Sequence, residues 1–343
     1  MENFSSEAFL PLSIRGTLCS LRVSDPERPL KAAKARKRRT RLTTDGKLSI
    51  IAADHPARRV TKVGDNPLGM ADRHDYIARV LRVLMSKSID GVMATMDILE
   101  DLLVIDSLIR ETGGGALLDG KLLIASLNRG GLAGTKWEMD DPLTGPSPAM
   151  HRAWGLDGVK LLLRINDADP GSLRTLLACS KVITEANELG LSTFLEPLPV
   201  ETHDHAHKVI KSKESLARIA GVASALGDSS RYLWLKLPYC DGFETVANST
   251  TLPILLLGGE SAGDAAPFLR ELRAGMYAGA NVRGALAGRN VLYPGAGDPL
   301  SAADAVGGIV HHGWTVDEAL TRAASPSALE MIWRGESVSL ETS

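Results

Sequence analysis

The sequence predicts an α/β protein, a ring of eight strand–helix units behind an N-terminal extension. Three observations carry that prediction. Eight short apolar, β-prone runs recur along the chain, helix-patterned stretches separate them, and most of the runs are continuous rather than alternating. Continuous apolar runs mark parallel strands covered on both faces. Eight such units over about 250 residues have the size of a TIM (β/α)8 barrel. An open doubly wound sheet is the alternative, but no GxGxxG follows the first strand, and a Rossmann core needs fewer strands.

The expected strands are "LSIIAAD" (48–54), "IDGVMATM" (89–96), "KLLIASL" (121–127), "GVKLLLRI" (158–165), "LSTFLEPL" (191–198), "YLWLKLP" (232–238), "LPILLLGG" (252–259) and "NVRGALAG" (281–288). Helical patterning fills the intervals, as in 73–87, 97–111, 172–190, 212–227 and 262–279. The organisation is therefore an extension over 1–46, a barrel over 47–330 and a tail over 331–343.

Composition narrows the function classes. The 343 residues are 44% apolar and 23% charged with a net charge of -2, so no global pull toward nucleic acid or anionic membranes is expected. Cys19, Cys179 and Cys240 are scattered and odd in number. They make neither a disulfide framework nor a CxxC site, which points to a reducing cytoplasm. No apolar run has membrane-spanning length, and "MENFSSEAFLPLSIRG" lacks the basic start and long apolar core of a signal peptide. One local departure is "RPLKAAKARKRRTR" (28–41), with eight basic residues and no acidic one. Its charge is local and no aromatic residues interleave, so it is expected to pack on the outside of the barrel or on a neighbouring subunit, not on nucleic acid.

In a barrel, functional residues gather at the C-terminal ends of strands. Strand one ends in Asp54-His55, strand four carries Lys160 and reaches Arg164, strand five carries Glu196, and strand six carries Lys236. A lysine among apolar walls, here the leucines around it and Trp234, with Lys160 as a second cation, loses its proton more readily. Its free amine can attack a carbonyl and form a Schiff base, an electron sink that lets a neighbouring C–C bond break or form. A carboxylate, Glu196 or Asp54, would move the protons. Strand seven ends Gly258-Gly259-Glu260-Ser261 and strand eight leads to Gly288-Arg289. Glycines and an arginine after the last two strands suit a phosphate. A competing feature is "ETHDHAHK" (201–208), whose His203, His205 and His207 could ligate a metal. One short segment rarely supplies a whole catalytic zinc site, so the preferred reading is a polar loop opening the next helix, with Thr202 or Asp204 as its cap and no metal.

The ordered set "AADHP", "GVKLLLRI", "FLEPL", "LWLKLPY", "LPILLLGG" and "GALAGRN" resembles the class I (Schiff-base) aldolases grouped with deoxyribose-phosphate aldolase and tagatose-bisphosphate aldolase, over about residues 48 to 325. The resemblance implies an aldehyde-lyase with Lys236 as Schiff-base lysine, Glu196 as acid/base, Lys160 and Asp54 lining the site, and Arg289 on the substrate phosphate. It implies a small phosphorylated substrate, no cofactor beyond the covalent lysine and a homo-oligomeric assembly. It also extends to aldolase-like proteins encoded with bacterial inositol-degradation enzymes, which would imply cleavage of 2-deoxy-5-keto-gluconate 6-phosphate to dihydroxyacetone phosphate and malonic semialdehyde. The sequence departs from the pattern in three places. "DHPARR" replaces the usual Gln-Arg after the strand-one aspartate and leaves His55 at the substrate end, the 128–149 loop has no close match, and the basic extension lies outside the resemblance. The alternatives are a metal-dependent lyase using the His203–His207 loop and a non-catalytic sugar-phosphate sensor on the same scaffold.

Overall fold

The computed structural model describes residues 4–203, 206–259 and 263–322. Among them nine strands form: β1 (Leu48–Ala53), β2 (Gly91–Ala94), β3 (Leu122–Ser126), β4 (Gly158–Ile165), β5 (Ser192–His203), β6 (Ala206–Val209), β7 (Leu233–Pro238), β8 (Ile254–Leu257) and β9 (Val282–Ala287). All except β6 pair in parallel as one closed ring, in which β4 meets β5, β5 meets β7 and β9 returns to β1. Helices surround it, and the fold is a TIM (β/α)8 barrel. Each of the eight apolar runs became a barrel strand, so the continuous-run pattern was the right signal.

The ninth strand is a correction. Residues 201–203 and 206–208 do not open the next helix. β5 runs on past the barrel to His203 and β6 folds back on it antiparallel, with Val200 opposite Val209 and Thr202 opposite His207. The helix Lys213–Ser224 is capped instead by Ser212, whose side chain accepts from Ser215 N–H. The physical reason is local: β-branched Val200, Thr202 and Val209 suit a ladder, and Val200 buries with Met139, Leu162 and Leu198 above the barrel. Asp204 and His205 lie outside the described residues.

Strand alternation sorts the core. Ile51 and Ala53 of β1 face the helices, while Leu48, Ile50 and Ala52 face inward, where they meet Met93, Ile124, Phe194, Leu255 and Leu286. That plug makes the lower barrel a dry floor. The ring closes where β9 meets β1, and there Gly284 adopts φ 133°. A Cβ at this position would stand 1.9 Å from the Leu48 carbonyl oxygen, so only glycine lets the seam close.

The N-terminal face carries the basic extension. Asp90 precedes β2 and accepts from Ser49 N–H of β1 at 2.7 Å; Asp157 precedes β4 and accepts from Leu123 N–H of β3 at 2.9 Å. Both carboxylates also bind the basic segment, Asp90 through Arg39 and Asp157 through Arg36 and Arg38. The segment therefore packs on the barrel of its own chain, its arginines matched to the aspartates that precede β2 and β4.

His311, in the helix Pro299–His312, bonds Asp90 at 3.1 Å and Asp45 at 2.8 Å. Burial alone would lower its pKa, but the two carboxylates prevail and raise it. A raised histidine stabilises the fold fully below its ordinary value, near 6.5, and that contribution is lost as pH rises through the elevated one. His311→Gln is expected to cost about 1–3 kcal/mol at mildly acidic pH, with a deficit that shrinks toward alkaline pH. Thermal melts of both proteins across that window would show it; a deficit independent of pH would refute the charged role.

Candidate active site

The inward rows of the strands turn polar at the C-terminal mouth. Asp54 continues the row Leu48, Ile50, Ala52; Glu196 follows Phe194 on β5; Lys236 follows Trp234 on β7; Lys160 precedes Leu162 on β4. Four charged side chains from four strands thus meet above an apolar floor.

Their geometry is tight. Lys160 Nζ lies 2.8 Å from Glu196 Oε2 and 3.6 Å from Asp54 Oδ2, and Lys236 Nζ lies 3.0 Å from the same Glu196 oxygen. Arg129, three residues beyond β3, completes the group with an ion pair to Asp54. Lys160 is 0% exposed and Lys236 is 6% exposed, the latter where it meets the open cavity.

Burial sets the electrostatics. It pushes the Lys160 pKa well below the ordinary lysine value, and Arg129 adds to that push. It lowers Lys236 as well; Glu196 opposes, while Arg129 and Arg289 reinforce. Burial would raise Glu196, but Lys160, Lys236 and Arg129 outweigh it and hold the carboxyl well below its ordinary range. His55 falls to about 3 through burial and the neighbouring Arg289 and Lys236, so its imidazole is neutral at working pH. Lys160, Glu196 and Lys236 share one oxygen and titrate as a unit.

A cavity of about 570 Å³ opens onto this group and is lined by Asp54, Glu196, Lys236, His55, Gly258, Gly259, Gly288 and Arg289. Its apolar wall comes from Leu162, Leu198, Leu257 and Leu286. Leu235 and Leu237, expected as walls around Lys236, pack outward against the helices, because a strand sends neighbouring side chains to opposite faces. Gly288 is required: a Cβ there would lie 2.5 Å from His55 Cε1 and 2.6 Å from the Ala52 carbonyl oxygen. The Asn290 amide donates to the Gly258 carbonyl and ties the last two loops together. Ser261, expected with the glycines, lies outside the described residues. Lys160 is beneath Glu196, not on the cavity wall.

Arg164 does not join the substrate cavity. Its guanidinium pairs with Glu138 and donates to the Gly131 carbonyl at 3.1 Å, so it pins the loop after β3 across the mouth. Arg58 binds the same Glu138 at 3.1 Å. The unmatched 128–149 loop is thus part of the site, and it supplies the residue that sequence reasoning missed, Arg129. The strand-end rule that selected the others points to it too, just past "LLIAS". His207, Lys208 and Lys211, on or beside the β5–β6 hairpin, also line the cavity. His203 pairs with Glu201 at 3.0 Å and His207 bonds Thr202, and among the described residues no group of three metal-ligating side chains forms.

Known proteins place this barrel. The structure of Cgl0159 from Corynebacterium glutamicum is 35% identical, covers 89% of this chain and 99% of its own, and superposes with a TM-score of 0.82. The uncharacterized aldolase SSO3226 of Saccharolobus solfataricus is 32% identical over 172 residues, 48% of this chain. The chain spans 59% of the length of that curated relative. An archaeal fructose-1,6-bisphosphate aldolase, solved with its catalytic lysine covalently bound to the carbinolamine intermediate, shares the fold at 19% identity and a TM-score of 0.53 over 82% of this chain and 99% of its own. These neighbours share the (β/α)8 barrel. A family model described as Cgl0159-like matches residues 46–307, from the entry to β1 through all eight barrel strands, and the chain belongs to that family.

Proposed function

We propose that the protein is a class I aldolase that cleaves or forms a C–C bond in a phosphorylated keto-sugar or keto-acid through a Schiff base on Lys236. The observation that carries this reading is Lys236 Nζ, 3.0 Å from Glu196 Oε2, at the buried end of an open cavity on the C-terminal face of the barrel. The aldolase name of the Saccharolobus relative supports it.

The chemistry follows from the groups present. The Lys236 amine adds to the substrate ketone, the carbonyl oxygen takes up a proton from solvent, and the nitrogen gives one to Glu196. Glu196 returns that proton to the carbinolamine hydroxyl, which leaves as water, and a protonated imine remains. Glu196, a carboxylate again, then takes the proton of the substrate hydroxyl. The C–C pair flows into the imine, an aldehyde departs, and an enamine stays on the lysine. Protonation of the enamine carbon and hydrolysis by water release the ketone. Condensation is the same path reversed. Arg289 with the Gly258, Gly259 and Gly288 backbone would hold the phosphate, with His55 as a neutral wall. Dihydroxyacetone phosphate is one ketone this site would accept, as product of 5-dehydro-2-deoxyphosphogluconate or of a ketose phosphate.

Borohydride reduction in the presence of dihydroxyacetone phosphate is expected to add one substrate mass, mapped to Lys236 by peptide mass. No adduct across a panel of ketose phosphates, or an adduct on another lysine, would sink the proposal.

A further inference from the structure

We propose that Arg129 is a positioning residue of this site, acting on Lys236 through the chain of ion pairs that runs Asp54, Lys160, Glu196. This rests on the aldolase reading for its consequence and for the kcat/KM readout, though not for the labelling test. The five groups alternate in sign along one line: Arg129 to Asp54, Asp54 to Lys160 at 3.6 Å, Lys160 to Glu196 at 2.8 Å, Glu196 to Lys236 at 3.0 Å. Such a line begins and ends on a cation and carries one more positive charge than negative. A guanidinium does not give up its proton in a protein. The excess charge is therefore relieved at the lysines, and only the lysine at the open end faces substrate.

The placement of Arg129 is built, not incidental. Asn128 clamps the Leu162 backbone of β4 from both sides, accepting from its N–H at 2.8 Å and donating to its carbonyl at 2.6 Å. Arg129 N–H then bonds Thr144 Oγ1 at 3.1 Å, and the Asn128–Leu143 bridge closes the base of the loop. The guanidinium is held at the edge of the cavity with its charge buried, 10% exposed at the side chain. A buried cation this close to two lysines is costly unless it is matched, and Asp54 matches it. Arg129 is also among the groups that press on Lys160, Lys236 and Glu196 alike.

The test reads the amine directly. Labelling with trace acetic anhydride as a function of pH, followed by peptide mass, reports the free-amine fraction of Lys236 without any substrate. In Arg129→Gln the labelling profile is expected to move to higher pH, with about a tenfold fall in Lys236 labelling on its acid side. Arg129→Lys should restore it, and Asp54→Asn, which keeps the guanidinium and removes its carboxylate, should move it to lower pH. The acid limb of kcat/KM should follow the same order. Superposed profiles in folded Arg129→Gln, or an unmoved profile in Asp54→Asn if the first variant does not fold, would overturn the proposal. Wild-type protein that labels as expected but traps no ketone would instead overturn the aldolase reading alone.

Discussion

Replacing Lys236 with methionine is expected to lower kcat by about 10⁴–10⁶-fold and to abolish borohydride trapping. Methionine keeps the stem and loses the nucleophile, so no covalent intermediate can form. The fold should survive, because Glu196 retains Lys160 at 2.8 Å as its partner and the site loses one cation from a cationic surplus. Circular dichroism and a thermal melt close to wild type would show that the loss is chemical. Near-wild-type turnover in this variant would mean that Lys236 is a structural ion pair and that the chemistry lies elsewhere.

The second large effect belongs to Glu196. Glu196→Gln should reduce kcat by about 10²–10⁴-fold, the range for a positioned acid/base. Its signature separates it from Lys236. Glu196 is the group that favours the charged form of Lys236, so its removal leaves the amine at least as available for attack. Water can stand in for Glu196 in the slow steps that form the imine but not in taking the proton of the substrate hydroxyl, so trapped adduct should persist while release of aldehyde stalls. Quenched-flow measurement of the trapped fraction beside steady-state turnover would separate the steps. If trapping and turnover fall together, Glu196 acts only in forming the imine; if neither falls, it is not the proton carrier.

How far the sequence disclosed this site depends on what each residue's neighbours look like in one dimension. Lys160, Glu196 and Lys236 each interrupt an apolar strand, and the period-two pattern assigns them to the interior, so they were legible. Asp54 was legible as the residue that ends such a run. Arg129 and Arg164 were not sorted correctly, because both depend on the loop after β3. Nothing in "LNRGGLAGTKWEMDD" announces that Glu138 returns to bind Arg164 and Arg58, or that Asn128 reaches across to β4. Those pairings form between segments brought together only by the closed ring. The hairpin was missed for a related reason: three histidines in five residues suggested ligands, and Thr202 or Asp204 a helix cap, while its structural determinants were the valines at its edges. The basic segment, by contrast, behaved as its composition implied once the aspartates before β2 and β4 were available to match it.

Asp90 has a consequence for how the chain is made. One carboxylate receives Arg39 from the extension, the backbone of β1 and His311 from the helix Pro299–His312. Its partners are therefore the earliest and nearly the latest parts of the barrel to leave the ribosome. Until β9 and that helix have been synthesised, β1 has an unpaired edge and the nascent sheet stays open. The barrel is thus completed late in translation, and a pause or truncation before residue 311 would leave an open sheet with an exposed edge rather than a smaller closed domain.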